Sequence, residues 1–290
     1  MKILLLGRNG QVGWALERSL APLGEPTALG RAELDLADVP RLVATIRALQ
    51  PEAIVNAAAY TSVDKAESER ETAFAINATA PRVLAEEAKR IGALLVHYST
   101  DYVFDGAKAV PYVEDDEPNP LNVYGASKLA GERAIAATGC RHLILRTSWV
   151  YGPRGANFML TMLRLARERP ALHVVDDQVG APTSSIEIAR ATATVLARAA
   201  QSSNVTGLYH LAAAGETSWC GFARAILAKA EVATPVVPIR TEDYPTAARR
   251  PRNSRLDCSR LRETFGVTLA PWEEGLAEAL AEHARLSRAR

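Results

Sequence analysis

No stretch narrows the choice of fold more than the first twenty residues. Lys2 to Leu6 is a short unbroken apolar run, the pattern of a strand buried on both faces. It breaks at Gly7-Arg8-Asn9-Gly10-Gln11-Val12-Gly13, and a helical pattern then runs through Leu20. Strand, glycine-rich turn and helix in that order open a parallel α/β sheet. Gly7, Gly10 and Gly13 let the backbone approach a pyrophosphate, and the helix start offers free N–H groups and a partial positive charge. The spacing is G-x-x-G-x-x-G rather than the common G-x-G-x-x-G. A plain tight turn with helix packing is the other reading; the position after the first strand favours a cofactor.

The alternation continues. Thr27–Leu29 reads as a second strand that ends at Gly30-Arg31. Arg31, with Arg8 in the glycine turn, would accept a ribose 2′-phosphate and so favour NADPH, with NADH kept open; two solvated arginines are the bland alternative. Asp35-Leu36 follows where an adenine edge would lie. Asp38 and Pro40 suit the start of a helix carrying Leu42, Val43, Ile46 and Leu49. Ala53–Val55 is a third strand, running into Asn56-Ala57-Ala58-Ala59-Tyr60-Thr61. Small residues at a strand's C-terminal end leave room for a flat ligand, though they also suit helix packing. A polar segment at 63–69 leads into one long helix ending near Ile91-Gly92.

Leu94–Tyr98 is a fourth strand, closing on Ser99-Thr100-Asp101, and Leu143–Arg146 a fifth, closing on Thr147-Ser148-Trp149. Hydroxyls and a carboxylate at a strand end can hold a reacting oxygen, or can merely cap. Aromatics just past a strand end line a substrate pocket or join the core. Further on come a helix near 158–167, a strand at 172–175, a helix near 186–199, strands at 209–211 and 236–239, an Arg-rich segment at 249–255 and two closing helices. We expect a doubly wound parallel α/β sheet with a smaller C-terminal α/β lobe. Residues 1–147, completed by about 166–212, would form the dinucleotide-binding domain. Residues 148–165 and 213–290 would form a substrate-binding lobe, with a cleft between the two.

Tyr124-Gly125-Ala126-Ser127-Lys128 carries the chemistry. Four residues apart on a helix, Tyr124 and Lys128 share one face. An ammonium near a phenol favours the phenolate, so the Tyr pKa is expected to fall from roughly 10. A phenol tuned that way trades protons with a carbonyl or alcohol near neutrality. Tyr-x-x-x-Lys alone is common on solvated helices; here the chain also supplies a nucleotide turn and a second polar group.

Composition excludes several classes. A net charge of +1 leaves no bulk electrostatic footprint for nucleic acid or an anionic membrane. Cys140, Cys220 and Cys258 form no C-x-x-C and sit near no His at ligand spacing, so neither a disulfide framework nor a metal site is expected. The apolar start is short for a signal peptide and no run reaches membrane-spanning length, so a cytoplasmic protein is expected.

Taken together, the glycine turn, Asn56-Ala57-Ala58-Ala59, the Ser-Thr pair after strand four and Tyr124/Lys128 resemble the extended short-chain dehydrogenase/reductase superfamily. The strings Gly10-Gln11-Val12-Gly13-Trp14, Val63-Asp64-Lys65-Ala66-Glu67-Ser68-Glu69, His97 to Phe104, Pro120 to Gly125 and Arg252-Asn253-Ser254-Arg255-Leu256 narrow it to the dTDP-4-dehydrorhamnose reductase family, across essentially the whole chain. That resemblance implies NADPH-dependent reduction of the C4 ketone of a dTDP-4-keto-6-deoxy sugar, a small nucleotide-sugar partner. Tyr124 would be the proton donor, Lys128 its modulator and ribose contact, and Thr100 the partner of the reacting oxygen. Gly10, Gln11 and Val12 would hold the pyrophosphate, Asp35 and Leu36 the adenine, and Ala57 to Thr61 the ribose–nicotinamide region. Asp101, Trp149 and an arginine of 249–255, with Arg252 chosen, would meet the substrate. Some members of the family bridge a dimer through a metal held by carboxylates, one of them just after the glycine turn; Ala15 stands at that position here, which argues against a metal-bridged dimer and leaves a homodimer of another kind open. Two other readings share the fold: a non-catalytic NADP-binding regulatory subunit of the methionine adenosyltransferase type, and a sugar-nucleotide epimerase or dehydratase. Tyr102, where a dehydratase would want Glu after Asp101, argues against elimination.

Overall fold

A computed structural model describes residues 1–202 and 205–288. The chain lays down β1 (Ile3–Leu6), α1 (Gln11–Ser19), β2 (Pro26–Leu29), α2 (Val39–Leu49) and β3 (Ala53–Asn56). Two short helices, α3 (Val63–Ala66) and α4 (Arg70–Phe74), precede α5 (Ala80–Ile91), β4 (Leu94–Thr100), α6 (Val123–Thr138) and β5 (His142–Thr147). Then come β6 (Val150–Tyr151), α7 (Phe158–Glu168), β7 (Leu172–Val175), β8 (Val179–Gly180), β9 (Thr183–Ser184), α8 (Ser185–Ala200) and β10 (Gly207–His210). The chain closes with β11 (Thr217–Ser218), α9 (Trp219–Lys229), β12 (Val236–Ile239), α10 (Ser259–Phe265) and α11 (Trp272–Arg288).

Six strands form one parallel sheet in the order β10-β5-β4-β3-β1-β2. Strand side chains alternate faces, and β1 shows what that does here. Ile3 and Leu5 pack with Leu16 and Leu20 beneath α1, and with Val195 of α8. Leu4 and Leu6 pack on the opposite face with Leu42 and Ile46 of α2 and Leu84 and Ala88 of α5. Each such Leu, Ile or Val, removed from water, contributes about 1.5–3 kcal/mol as an upper bound. Covering both faces is why β1 reads as an unbroken apolar run. Strand order reverses between β1 and β3, so a crevice opens at their C-terminal ends, beside Leu6 and Asn56.

The long helix expected before Gly92 is present and unbroken from Arg70 to Ile91; a π-helical turn, Ala75–Thr79, lies between α4 and α5 and turns Asn77 inward. One expectation needs correction: the stretch 166–212 divides. β7 pairs in parallel with β12, forming a two-stranded sheet apart from the main one, whereas α8 and β10 complete the main sheet. The return to the main sheet therefore comes near Ser185, not residue 166. β7 and β12 belong with α7, α9 and α11 around a separate core of Met159, Met162, Leu172, Phe222, Ile226 and Leu276.

Candidate active site

A cleft of about 770 Å³ runs along the C-terminal ends of β1, β3, β4 and β5. Its first wall is main chain. Gly7 stands at φ +86°, and a Cβ there would lie 2.6 Å from the Ala58 amide nitrogen. A Cβ at Gly13 would collide with the Gly7 carbonyl. Gly13 thus seats α1 against the turn and does not line the cleft, whereas Gly7, Gly10, Gln11 and Val12 do. Gly10 brings no side chain to cap α1, so the first N–H groups face the cleft without a side-chain partner.

Arg31, Asp35 and Leu36 line the same end, with Asn9, Gly30 and Leu34. Arg31 is exposed and its Nε donates to Asp35 Oδ2 at 3.1 Å. The Ala37 N–H and then Arg31 hold the Asp35 carboxyl below its ordinary value, against the opposing effect of burial. Ala57 to Thr61 form the middle of the wall. Their course is fixed by Asn77, which accepts the Tyr60 N–H at 2.9 Å and donates to the Tyr60 carbonyl at 3.0 Å and to Ser127 Oγ at 3.0 Å. Asn77 is a determinant that the sequence reading missed. Only the π turn brings it there, and no local signal announces that turn.

The far end is made of buried side chains. Asn122 caps α6 by accepting the Gly125 N–H at 2.8 Å, and the Gly125 position has no room for a side chain against the Tyr102 carbonyl. α6 then presents Tyr124 and Lys128 on successive turns, both lining the cleft beside Ser99, Thr100, Asp101 and Thr147. Thr100 donates to Asp101 Oδ1 at 3.1 Å and accepts the Tyr102 N–H at 3.1 Å, beside the Tyr124 phenol. Ser99 Oγ, Asp101 Oδ2 and Thr147 Oγ1 are buried without a protein partner, leaving donors and acceptors for a ligand at this end.

The titration behaviour corrects one expectation. Burial pushes the Tyr124 phenol up to about 12, with Asp101 adding to the shift and Thr100 opposing it. Lys128 does not reverse this. Its Nζ donates to the Tyr98 carbonyl at 2.6 Å and meets His97 Nε2 at 3.1 Å, and burial lowers its own pKa to about 8. Keeping a buried phenolate from water outweighs a neighbouring amine that is itself losing its charge. Burial also lifts Asp101 to about 7, opposed by Ser254 and Thr100.

Trp149 lines the mouth at φ +48°, a left-handed backbone that costs on the order of 1–3 kcal/mol in a non-glycine residue. Its ring stacks on Trp219, with centroids 3.6 Å apart and planes 10° from parallel. Trp219, at the start of α9, is a second lining residue the sequence reading missed; an aromatic directly behind the capping Ser218 was the available signal. Arg252 is exposed and lies outside the lining of this cleft. The guanidinium drawn inward is that of Arg250, which forks onto Asp64 at 2.8 and 2.6 Å and donates to the Ala248 carbonyl at 2.6 Å. Arg255 is engaged with Glu216 at 2.8 Å. Ala15 is buried against the main core. Among the described residues, no group of three or more His, Cys, Asp or Glu is placed to hold a metal.

A parallel sheet whose switch point opens on an uncapped helix, with a buried phenol and lysine beside a hydroxyl row, defines a nucleotide-dependent oxidoreductase of the extended short-chain type. A family model described as RmlD substrate binding domain matches residues 1–285. A dTDP-4-dehydrorhamnose reductase of Burkholderia thailandensis is 51% identical over 284 residues, covering 94% of this chain and 95% of that one. One from Escherichia coli K12 is 46% identical over 292 residues, covering 97% and 98%. The crystal structure of the Bacillus anthracis reductase, solved in complex with NADP, matches at TM-score 0.90 with 36% identity, covering 97% of this chain and 99% of that one. The UDP-glucose 4-epimerase of Thermus thermophilus shares the fold at TM-score 0.82 and 20% identity, over 98% and 99% of the two chains. The chain belongs to the dTDP-4-dehydrorhamnose reductase family of oxidoreductases.

Proposed function

We propose that the protein reduces the C4 ketone of dTDP-6-deoxy-L-lyxo-4-hexulose to dTDP-L-rhamnose. The observation that carries this reading is the convergence of Tyr124, Lys128 and Thr100 on one cleft whose other end is a glycine turn. The uncapped start of α1 and the unpartnered hydroxyls of Ser99 and Thr147 fit a dinucleotide. Gly7, Gly10, Gln11 and Val12 would hold its pyrophosphate, with Gly13 behind them. Asp35 and Leu36 would flank the adenine, and Arg31 would meet a 2′-phosphate. Ala57, Ala58, Ala59, Tyr60 and Thr61 would border the ribose and nicotinamide. When bound, NADPH supplies the hydride.

Carbonyl reduction also needs a proton, and a phenol at about 12 is a protonated donor at neutral pH. Tyr124 would give that proton to the oxygen developing negative charge. Thr100 would hold the same oxygen by hydrogen bond. Asp101, half-protonated near neutrality, would hydrogen-bond the sugar beside it. Lys128 would contact the nicotinamide ribose. The Trp149–Trp219 stack would form an apolar wall for the sugar nucleotide, and Arg252 would reach the diphosphate from outside the cleft. In this division residues 1–147 and the returning α8 and β10 carry the cofactor, and the lobe built on 148–184 and 213–290 carries the substrate.

The deciding assay follows NADPH oxidation with the dTDP-4-keto sugar against its UDP and GDP analogues. Turnover only with the dTDP compound supports the reading, and no turnover with any of the three overturns it. The three cysteines are free, as a reducing compartment would leave them, and we place the enzyme in the cytoplasm on that ground. Among the described residues no helix is long and apolar enough to cross a membrane.

A further inference from the structure

Behind the Tyr124–Lys128 face, Lys128 ends a buried polar chain whose other members, Asn56 and His97, no step above uses. Asn56, the last residue of β3, and His97, in the middle of β4, are each 1% exposed, and Lys128 is 2% exposed. The Ala58 N–H donates to Asn56 Oδ1 at 3.2 Å. Only the amide oxygen can accept it, which fixes the side chain with its NH₂ toward His97 Nδ1, 3.1 Å away. Nδ1 must therefore accept. Burial holds the ring well below its ordinary pKa, with the Lys128 charge adding to that, so it carries a single proton. That proton belongs on Nε2.

Nε2 faces Lys128 Nζ at 3.1 Å. An ammonium has three donors and no lone pair, so an Nε2–H pointing at it would set donor against donor. A neutral amine resolves the conflict: it accepts from His97 and donates to the Tyr98 carbonyl at 2.6 Å. The surroundings lower the cost of that form. Among the described residues, Glu132, one turn along α6, is the acid whose charge acts on Lys128, and it is already forked by Arg146 of β5 at 2.9 and 2.6 Å. Tyr124, on the preceding turn of α6, is neutral, and Asp101 after β4 is half-protonated near neutrality. Burial therefore brings Lys128 to a midpoint around 8, opposed by Glu132, so it is an amine above that pH and an ammonium below it.

We propose that His97 is a positioning residue: at alkaline pH it holds Lys128, together with Asn56, as a neutral amine, and Lys128 takes up its proton towards neutral pH only as this hydrogen-bond chain reverses. Reversal moves the ring proton from Nε2 to Nδ1 and turns the Asn56 amide. The Ala58 N–H then loses its acceptor, in the wall where the cofactor would lie. The charge on Lys128 is thereby coupled to the backbone of the 57–59 wall. The inference rests on the reductase reading only for its consequence in catalysis; the proton arrangement stands apart from it.

The test has two arms. In ligand-free, ¹⁵N-histidine-labelled wild-type protein, with His97→Gln used for assignment, NMR should show Nε2 protonated and Nδ1 bare above the Lys128 midpoint. An Nδ1–H form there, or an imidazolium, overturns the proposal, and this arm needs no substrate or turnover. In the second arm, Asn56→Asp replaces the donor facing Nδ1 with an acceptor. The ring should then carry Nδ1–H and offer its Nε2 lone pair to an ammonium. The Lys128-governed limb in the pH dependence of NADPH binding and of kcat/KM should move up by about one unit or more. A variant that loses rate with that limb in place would mean that Asn56 and His97 are only packing residues. Should the variant fail to fold, the wild-type tautomer still decides.

Discussion

At the Gly7–Gly13 end the cleft is walled by main chain, and at the Tyr124 end by side chains withdrawn from water. The first end works by leaving things out: no Cβ fits at Gly7 or Gly13, and no side chain caps α1. Its charged pairs, Arg31–Asp35 and Arg8–Glu17, are at the surface. The second end works by putting things in. Tyr124, Lys128, His97 and Asp101 all sit in low dielectric, and burial is the largest cause of shift for each. A main-chain site recognises shape and negative charge and tolerates exposure. A proton-transfer site needs seclusion, because only there do small rearrangements move a pKa by units.

The comparison can be broken most directly at Tyr124. Tyr124→Phe should lower turnover by roughly 10²- to 10⁴-fold, the ordinary worth of a general acid, and leave NADPH binding by fluorescence titration nearly intact. A loss of binding instead would mean that the two ends are not separable. Gly13→Ala should do the converse. The added methyl collides with the Gly7 carbonyl, so the midpoint of urea unfolding should fall by the equivalent of about 1–3 kcal/mol, and cofactor affinity with it.

Asp101 sharpens the contrast through pH. Its pKa is raised from 3.8 to about 7, so the folded state binds the proton more tightly than the unfolded chain. The stability this confers is complete below about pH 4 and is lost as pH rises through 7. Urea midpoints measured from pH 4 to 8 should therefore fall across that window in the wild type and fall less in Asp101→Asn. The smallest effect belongs to Arg31. Arg31→Ala should weaken NADPH more than NADH, by roughly tenfold at most for an exposed guanidinium. Equal losses for the two cofactors would assign the 2′-phosphate to another group.

How far each region could be read from the chain follows from the same contrast. The glycine turn, the strand ends and the Tyr124 helix are local patterns, and they stand within a residue or two of where their periodicity places them. Asp38, expected to cap α2, does so by accepting the Arg41 N–H at 3.1 Å. Leu172–Val175 is a correct strand attached to the wrong sheet: four apolar residues say that a strand forms but not which edge it meets. The direction of the Tyr124 shift was missed for a related reason. A four-residue spacing puts an amine near a phenol, but whether desolvation or charge wins depends on what covers them both.

The sequence by itself determined the order of elements, the glycine turn and the presence of Tyr124 and Lys128 on one helical face, because these depend on residues within a few positions of one another. Tertiary structure alone decided the rest. Asn56, His97 and Lys128 come from β3, β4 and α6, and Trp149 meets Trp219 across seventy residues of chain. Hydrogen-bond direction and burial are properties of neighbours in space. Once the sheet had closed, those neighbours set which groups carry protons.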